Sequence, residues 1–200
     1  MLKVGLTGSI AVGKSFVLGV LEDLGCHVLN ADVTAREVVA PGTEGLMKVV
    51  AAFGPEVLAA DGSLDRGHLA TIIFKDKAKR LRLNAILHPL IMAAQDRQIT
   101  QWEDHDPGGI AVVDAALMIE SGGYKRFDKL IVVHCRPELQ LERLMSRNAL
   151  TRENAQRRIA AQMSQEEKKR YAHFLVDTSD SFDMTRQRTE EVYAALRSAC

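Results

Sequence analysis

Residues Gly8-Ser9-Ile10-Ala11-Val12-Gly13-Lys14-Ser15 read G-x-x-x-x-G-K-S, the spacing of a loop that cradles phosphate. The apolar run Leu2–Leu6 before it suits a buried strand. After it, Val17, Val20, Leu21 and Leu24 recur at helical spacing, with Gly25 as the stop. A strand that passes through such a loop straight into a helix is the opening unit of an α/β domain, so this stretch constrains the fold more than any other. A glycine-rich turn that merely precedes Lys-Ser is the competing reading, and the flanking strand and helix weigh against it.

The residue types follow from the chemistry. Gly8 and Gly13 permit backbone conformations and close approaches that a Cβ would block. The loop amides then form a nest of donors for phosphate oxygens, and the helix that starts near Lys14 adds roughly half a positive charge at its N-terminus. Lys14 can reach the β- and γ-phosphates, and the Ser15 hydroxyl can sit on Mg²⁺.

Further strands are expected at Cys26–Asp32, Ile110–Asp114, Lys129–Cys135 and His173–Asp177, alternating with helices. That pattern argues for an α/β fold with a five-stranded parallel sheet covered on both faces. Asp65–Gln101 reads as a charged helical insertion, with one helix ending at His88 and another starting at Pro89. Asp61-Gly62 marks a turn within Pro55–Leu64. Thr151 suits a helix N-cap, and a last helix from Ser181 to Ala199 is expected to bury Phe182, Val192, Tyr193 and Leu196. Ligands of such sheets bind beyond the carboxyl ends of the strands, where Gly8, Asp32, Asp114 and the segment after Cys135 would converge.

Lys and Arg number 26, as do Asp and Glu, so no net field points to nucleic acid or a membrane. The clusters Lys75–Arg82 and Arg157-Arg158 suit a polyanionic small molecule or simply solvated helix faces. Cys26, Cys135 and Cys200 have neither disulfide nor zinc spacing, and the first two read as small buried apolar residues. Without a leader or a long apolar run, a cytoplasmic location is expected, with no preference shown between a monomer and a weak homo-oligomer.

Phosphoryl transfer needs positioning, a counter-cation, a group that orients the acceptor and arginines for the moving charge. Asp32 is the best base candidate, with helix capping as its alternative. Asp114 is a weak metal candidate, equally suited to a structural hydrogen bond. Arg143 and Arg147 share a helical face, followed by Arg152, Arg157 and Arg158. Such a segment could close over ATP as a lid or remain solvated beside Glu142 and Glu153.

Several segments in order resemble one family, dephospho-coenzyme A kinase. They are Leu6–Ser15, Asn30-Ala31-Asp32 with Ala35-Arg36, Asp61–Arg66, Asn84–Pro89, Asp114–Glu120, and Gln140–Arg147 followed by Arg158-Ile159 and Gln162. The resemblance implies a three-layer α/β/α P-loop NTPase fold over residues 1–200, with a helical CoA-binding subdomain at 61–101 and a lid at about 143–168. It implies transfer of the ATP γ-phosphate to the ribose 3′-hydroxyl of dephospho-CoA, with Mg²⁺. Gly8, Ala11, Val12, Gly13, Lys14, Ser15, Phe16, Arg143 and Arg147 would bind ATP, and Ser15, with Asp114 more weakly, the metal. Asp32 would act as base or orient the hydroxyl, with Lys14 and Arg143 on the transferring group. Arg36, Arg66, His88 and Glu120 would join Asp32 on the acceptor side. The chain departs from the family pattern at Asn30 (Asp), Ala116 (Pro), Ile10–Val12 and Phe16 (small residues and Thr), and near Asp177 (Asn). Another P-loop small-molecule kinase, or a non-catalytic ATP-binding regulatory module, is the alternative function.

Overall fold

A computed structural model describes residues 1–74 and 76–198. Lys75 of the basic cluster, the Ala199 helix end and the Cys200 thiol lie outside the described residues. Strand β1 (Leu2–Gly8) leads through the loop into helix α1 (Lys14–Asp23) and β2 (His27–Asn30). Helices α2 (Ala31–Glu37), α3 (Glu44–Phe53), α4 (Arg66–Phe74) and α5 (Lys77–His105) follow, then β3 (Ile110–Asp114) and β4 (Lys129–His134). The chain continues with α6 (Pro137–Asn148), α7 (Arg152–Ala160), α8 (Gln165–Lys169), β5 (Phe174–Asp177) and α9 (Phe182–Arg197).

The sheet has five strands in the order β2-β3-β1-β4-β5. β1 runs parallel to β3 and β4, with Leu6 opposite Asp114 and Gly8 opposite Val133, and β4 runs parallel to β5. Flanked by β3 on one side and β4 on the other, β1 lies where crossovers diverge. That arrangement opens a crevice at its carboxyl end, where the loop begins. Val4, Leu6, Ile110, Val112, Ile131, Val133 and Val176 form one core with Val17 and Leu21 of α1 and Val192 and Leu196 of α9. The alternate positions Ala111, Val113, Leu130 and Val132 are buried too, as they must be in a parallel sheet covered on both faces. Cys26 and Cys135 are buried thiols.

The chain forms two compact units, Met1–Leu29 with Trp102 onward, and Asn30–Gln101. The second has its own core of Val39, Val49, Val57, Leu69 and Leu83. It takes in α2 and α3 as well as residues 61–101. Leu58 and Leu64 form an antiparallel bridge around the Asp61-Gly62 turn. No helix among the described residues is long and apolar enough to cross a membrane.

Three local expectations need correction. The helix does not break at His88, because Pro89 sits inside the continuous α5. Pro89 and Ala85, the residue whose carbonyl loses its intrahelical donor, are both exposed. Water can serve that carbonyl, while Leu83, Gln95 and Ile99 anchor α5 on both sides of the proline. The second strand stops at Asn30, so Asp32 lies in the first turn of α2 rather than at a strand end. Phe182 is 70% exposed rather than buried, because it starts α9 ahead of the turns that pack on the sheet.

Asn30 explains the end of β2. Its backbone is extended, and its side-chain oxygen accepts from the amides of Asp32, at 2.9 Å, and Val33, at 3.2 Å, as an N-cap does. Asn30→Ala is expected to lower stability by about 1 kcal/mol in urea unfolding. Asn30→Asp should retain it, since a carboxylate accepts the same amides and favours the positive helix end.

Candidate active site

The loop after β1 is held by close approaches that admit only small residues. A Cβ on Gly8 would lie 2.6 Å from the Val133 carbonyl oxygen, so glycine is required where the chain leaves the sheet. Gly13 begins α1 with φ 87°, and a Cβ there would lie 3.1 Å from the Thr178 hydroxyl. No side-chain oxygen caps α1, which leaves its first N–H groups to a ligand anion. Val12 turns its side chain into the core at 1% exposure, away from the phosphate side. Ala11 takes the left-handed region, φ 62°, at a cost on the order of 1 kcal/mol for a residue with a Cβ.

The cations around the loop are already placed on acceptors. Lys14 pairs with Asp114, a buried carboxylate at the end of the neighbouring strand β3. Asp114, the weak metal candidate, is thus the counter-ion of the loop lysine. Arg143 on α6 donates to the Thr178 hydroxyl at 3.0 Å and to its carbonyl at 2.9 Å. The Thr178 hydroxyl in turn donates to the Val12 carbonyl at 2.7 Å. One buried threonine therefore ties the arginine and the loop together.

A pocket of about 640 Å³ opens beside this clasp, lined by Ala11, Gly13, Phe16, Arg143, Arg147 and Thr178, with Asp180 and Phe182 completing one wall. Phe16 and Phe182 face each other with ring centroids 4.8 Å apart. The structure thus gathers Ala11, Gly13, Phe16, Arg143 and Arg147 around one cavity that begins at the loop. Ser15 is exposed on the first turn of α1.

Glu120 lies within the same unit and is engaged by protein groups. The Lys168 ammonium, fully buried, donates to Glu120 at 3.0 Å and to the Ala116 carbonyl at 2.7 Å. The Met163 amide donates to the other Glu120 oxygen. Burial pushes the Lys168 pKa down, and Glu120 opposes it. Asp32, Arg36, Arg66 and His88 belong to the helical unit, all exposed. Asp32 and Arg36 stand one turn apart on α2, and Arg66 donates to the Arg36 carbonyl at 3.4 Å.

Sequence reasoning missed Thr178, Gln165 and the pocket position of Phe182, and it met Gln140 and Gln162 only as part of the lid-like segments. Thr178 carries no motif. Phe182 has the look of a core aromatic at the head of an amphipathic helix, and only its exposure separates the two roles. The alternative for Asp32, helix capping, falls to Asn30.

A β1 loop of this geometry at the switch point of a 2-3-1-4-5 sheet, with paired arginines on the helix beyond β4, defines an α/β P-loop kinase fold. The family model described as dephospho-CoA kinase matches residues 2–183, and the chain belongs to that family. A dephospho-CoA kinase of Listeria monocytogenes serotype 4b is 44% identical over 189 residues, 92% of each chain. Among solved structures, TT1252 from Thermus thermophilus is similar with a TM-score of 0.83 at 28% identity, covering 97% of this chain and 96% of that one. A dephospho-CoA kinase from Campylobacter jejuni matches with a TM-score of 0.66 at 27% identity over 96% of both chains.

His134, at the end of β4 beside the Thr178 segment, supplies a pH prediction. Burial, then Lys169, holds its pKa below the ordinary 6.5, outweighing the pull of Asp177 at 3.9 Å. The neutral ring is the form the fold prefers. Its contribution is therefore fully present above 6.5 and is lost as pH falls through the depressed folded value. Urea unfolding should show stability declining on acidification below 6.5, and His134→Gln should flatten that part of the profile. An unchanged slope would show that other groups set it.

Proposed function

We propose that this protein transfers the γ-phosphoryl group of ATP to the ribose 3′-hydroxyl of dephospho-CoA, giving CoA and ADP. The match to the dephospho-CoA kinase family over residues 2–183 supports this reading most strongly. The loop geometry is what the chemistry requires. The bond from the γ-phosphorus to the β,γ-bridging oxygen breaks, a bond to the 3′-oxygen forms, and the hydroxyl proton must leave. The protein supplies position and charge rather than a covalent intermediate.

In this reading the amides of residues 11–15 and the α1 N-terminus hold the β- and γ-phosphates. Lys14 turns from Asp114 toward them. Arg143 exchanges one or both Thr178 acceptors for the transferring group, whose charge it stabilises. Asp32 orients the 3′-hydroxyl and takes its proton, with Arg36, Arg66 and His88 as acceptor-side residues of the helical unit. Glu120, bonded to Lys168, contributes to the acceptor side by fixing the segment after β3. The segment at about 143–168 serves as lid.

The donor set fits Mg²⁺. No group of three His, Cys, Asp or Glu that could hold a metal occurs among the described residues. Mg²⁺ in kinases rests on one or two protein oxygens, phosphate oxygens and water, and here the Ser15 hydroxyl would be that protein oxygen. When bound, the ion neutralises charge across the β- and γ-phosphates.

The decisive assay supplies ATP, Mg²⁺ and dephospho-CoA and measures CoA. No product at high enzyme concentration, or turnover only with other acceptors, would sink the proposal. Asp32→Asn is expected to cut kcat by roughly 10²- to 10⁴-fold, as loss of a general base does, with ATP affinity retained. Weakened ATP binding with kcat intact would remove Asp32 from that role.

The wall of half-buried Phe16 and exposed Phe182 suits the nucleotide base. Of the polar lining, Arg143, Arg147 and Asp180 are bonded to Thr178, Asn148 and Arg188, while Glu142 and Ser146 also line the pocket. Stacking on the rings supplies one grip on the base. Phe182→Ala should weaken ATP binding about tenfold while leaving binding of inorganic tripolyphosphate, which has no base, unchanged. Equal loss for both ligands would show that the ring supports the loop instead.

A further inference from the structure

Both backbone groups of Ile10 are taken by glutamine side chains from outside the loop. Its carbonyl accepts from Gln140 Nε2 at 2.8 Å, and its amide donates to Gln162 Oε1 at 2.8 Å. The Gln140 oxygen accepts from Gln165 Nε2 at 2.8 Å, and the Gln165 oxygen accepts from the Cys135 amide at 2.9 Å. Backbone groups fix every amide orientation. Cys135 N–H can only donate, so it faces an oxygen, and the Ile10 carbonyl can only accept, so it faces an NH₂. Between them Gln165 and Gln140 have one arrangement that satisfies all partners. On the loop's other contact with this segment, the Ser9 hydroxyl donates to the Met163 carbonyl at 3.3 Å.

The residue next to Ile10 is the strained one. Ala11 and Ala149 are the non-glycine residues with positive φ among those described. Ala149 closes α6 as its C-cap, a position where the left-handed region is usual. Ala11 ends no helix. Such a conformation persists only where the surroundings over-determine it. The glutamines on one side and the Thr178 hydroxyl on the Val12 carbonyl bracket Ala11 and do this.

We propose that Gln140, Gln162 and Gln165 are positioning residues that clamp Ile10 and so hold Ala11 in the left-handed conformation that aims the loop amides at phosphate. Gln140 is buried on α6, which also carries Arg143 and Arg147, and Gln165 opens α8. Gln162 lies just beyond α7, so the clamp joins the phosphate loop to the segment read as the lid. A loop that reaches its ligand-ready shape before binding spends no affinity on ordering.

The inference rests on the nucleotide reading, and its test measures binding without the acceptor. In calorimetric titrations, Gln162→Met and Gln140→Met should each weaken ATP, and equally inorganic tripolyphosphate, by roughly five- to tenfold, the net worth of about one hydrogen bond. In an Ala11→Gly background the same substitutions should weaken binding by no more than about twofold, because glycine takes the left-handed region unaided. Equal factors in both backgrounds, or no loss in either, would overturn the clamp. Gln162 is partly exposed, so Gln162→Met carries the test alone if the buried Gln140→Met fails to fold. A wild-type protein that bound neither ATP nor tripolyphosphate would overturn the nucleotide reading and the clamp together.

Discussion

The close approach of Gly8 to the β4 backbone governs the rest of the site. The loop starts where β1 leaves a sheet whose neighbouring strand lies 2.6 Å from the position a Cβ would take. The chain must turn there with no side chain, at the crevice of the switch point. Gly13 repeats the constraint at the other end against Thr178, and buried Val12 anchors the middle. The loop is shaped from behind, by the core, so that its front remains available to a ligand.

Charge is arranged on the same plan. Lys14 rests on Asp114, Arg143 on Thr178 and Lys168 on Glu120 and the Ala116 carbonyl. A buried cation without a partner would cost several kcal/mol, so the buried Lys168 has acceptors supplied by the fold; Lys14 and Arg143, partly exposed, have them too. The three differ in what they can do next. Lys168 is fully enclosed and fixes the segment after β3 to α8. Lys14 belongs to the loop and Arg143 lines the pocket, and both are partly exposed, so in the proposed reaction a phosphate would replace or share their present acceptors.

The departures from the family pattern divide along similar lines. Asn30 in place of Asp caps α2 with its amide oxygen, a job either side chain performs. Ala116 in place of Pro keeps its carbonyl under the Lys168 ammonium, so the segment has a tether of its own. Phe16 in place of a small residue meets Phe182 and builds an aromatic wall on the pocket. Ala11 is the departure that costs backbone energy, and the glutamines stand beside it.

The sequence by itself determined the sheet, the loop and helix ends marked by caps such as Thr151. A Walker-type glycine spacing, apolar strand runs and such caps are local signals, and local sterics and hydrogen bonding decide them. The tertiary structure alone decided three other matters. Pro89 was tolerated because its side of α5 is wet and its other side is packed. Phe182 went to the pocket because α9 begins before it reaches the core. Thr178 and the glutamines gained their roles because hydrogen bonds across more than a hundred residues of chain, such as Gln140 to Ile10 and Thr178 to Val12, follow from folding geometry. No periodicity or spacing encodes a contact of that range, since it depends on where separate strands end relative to one another in space.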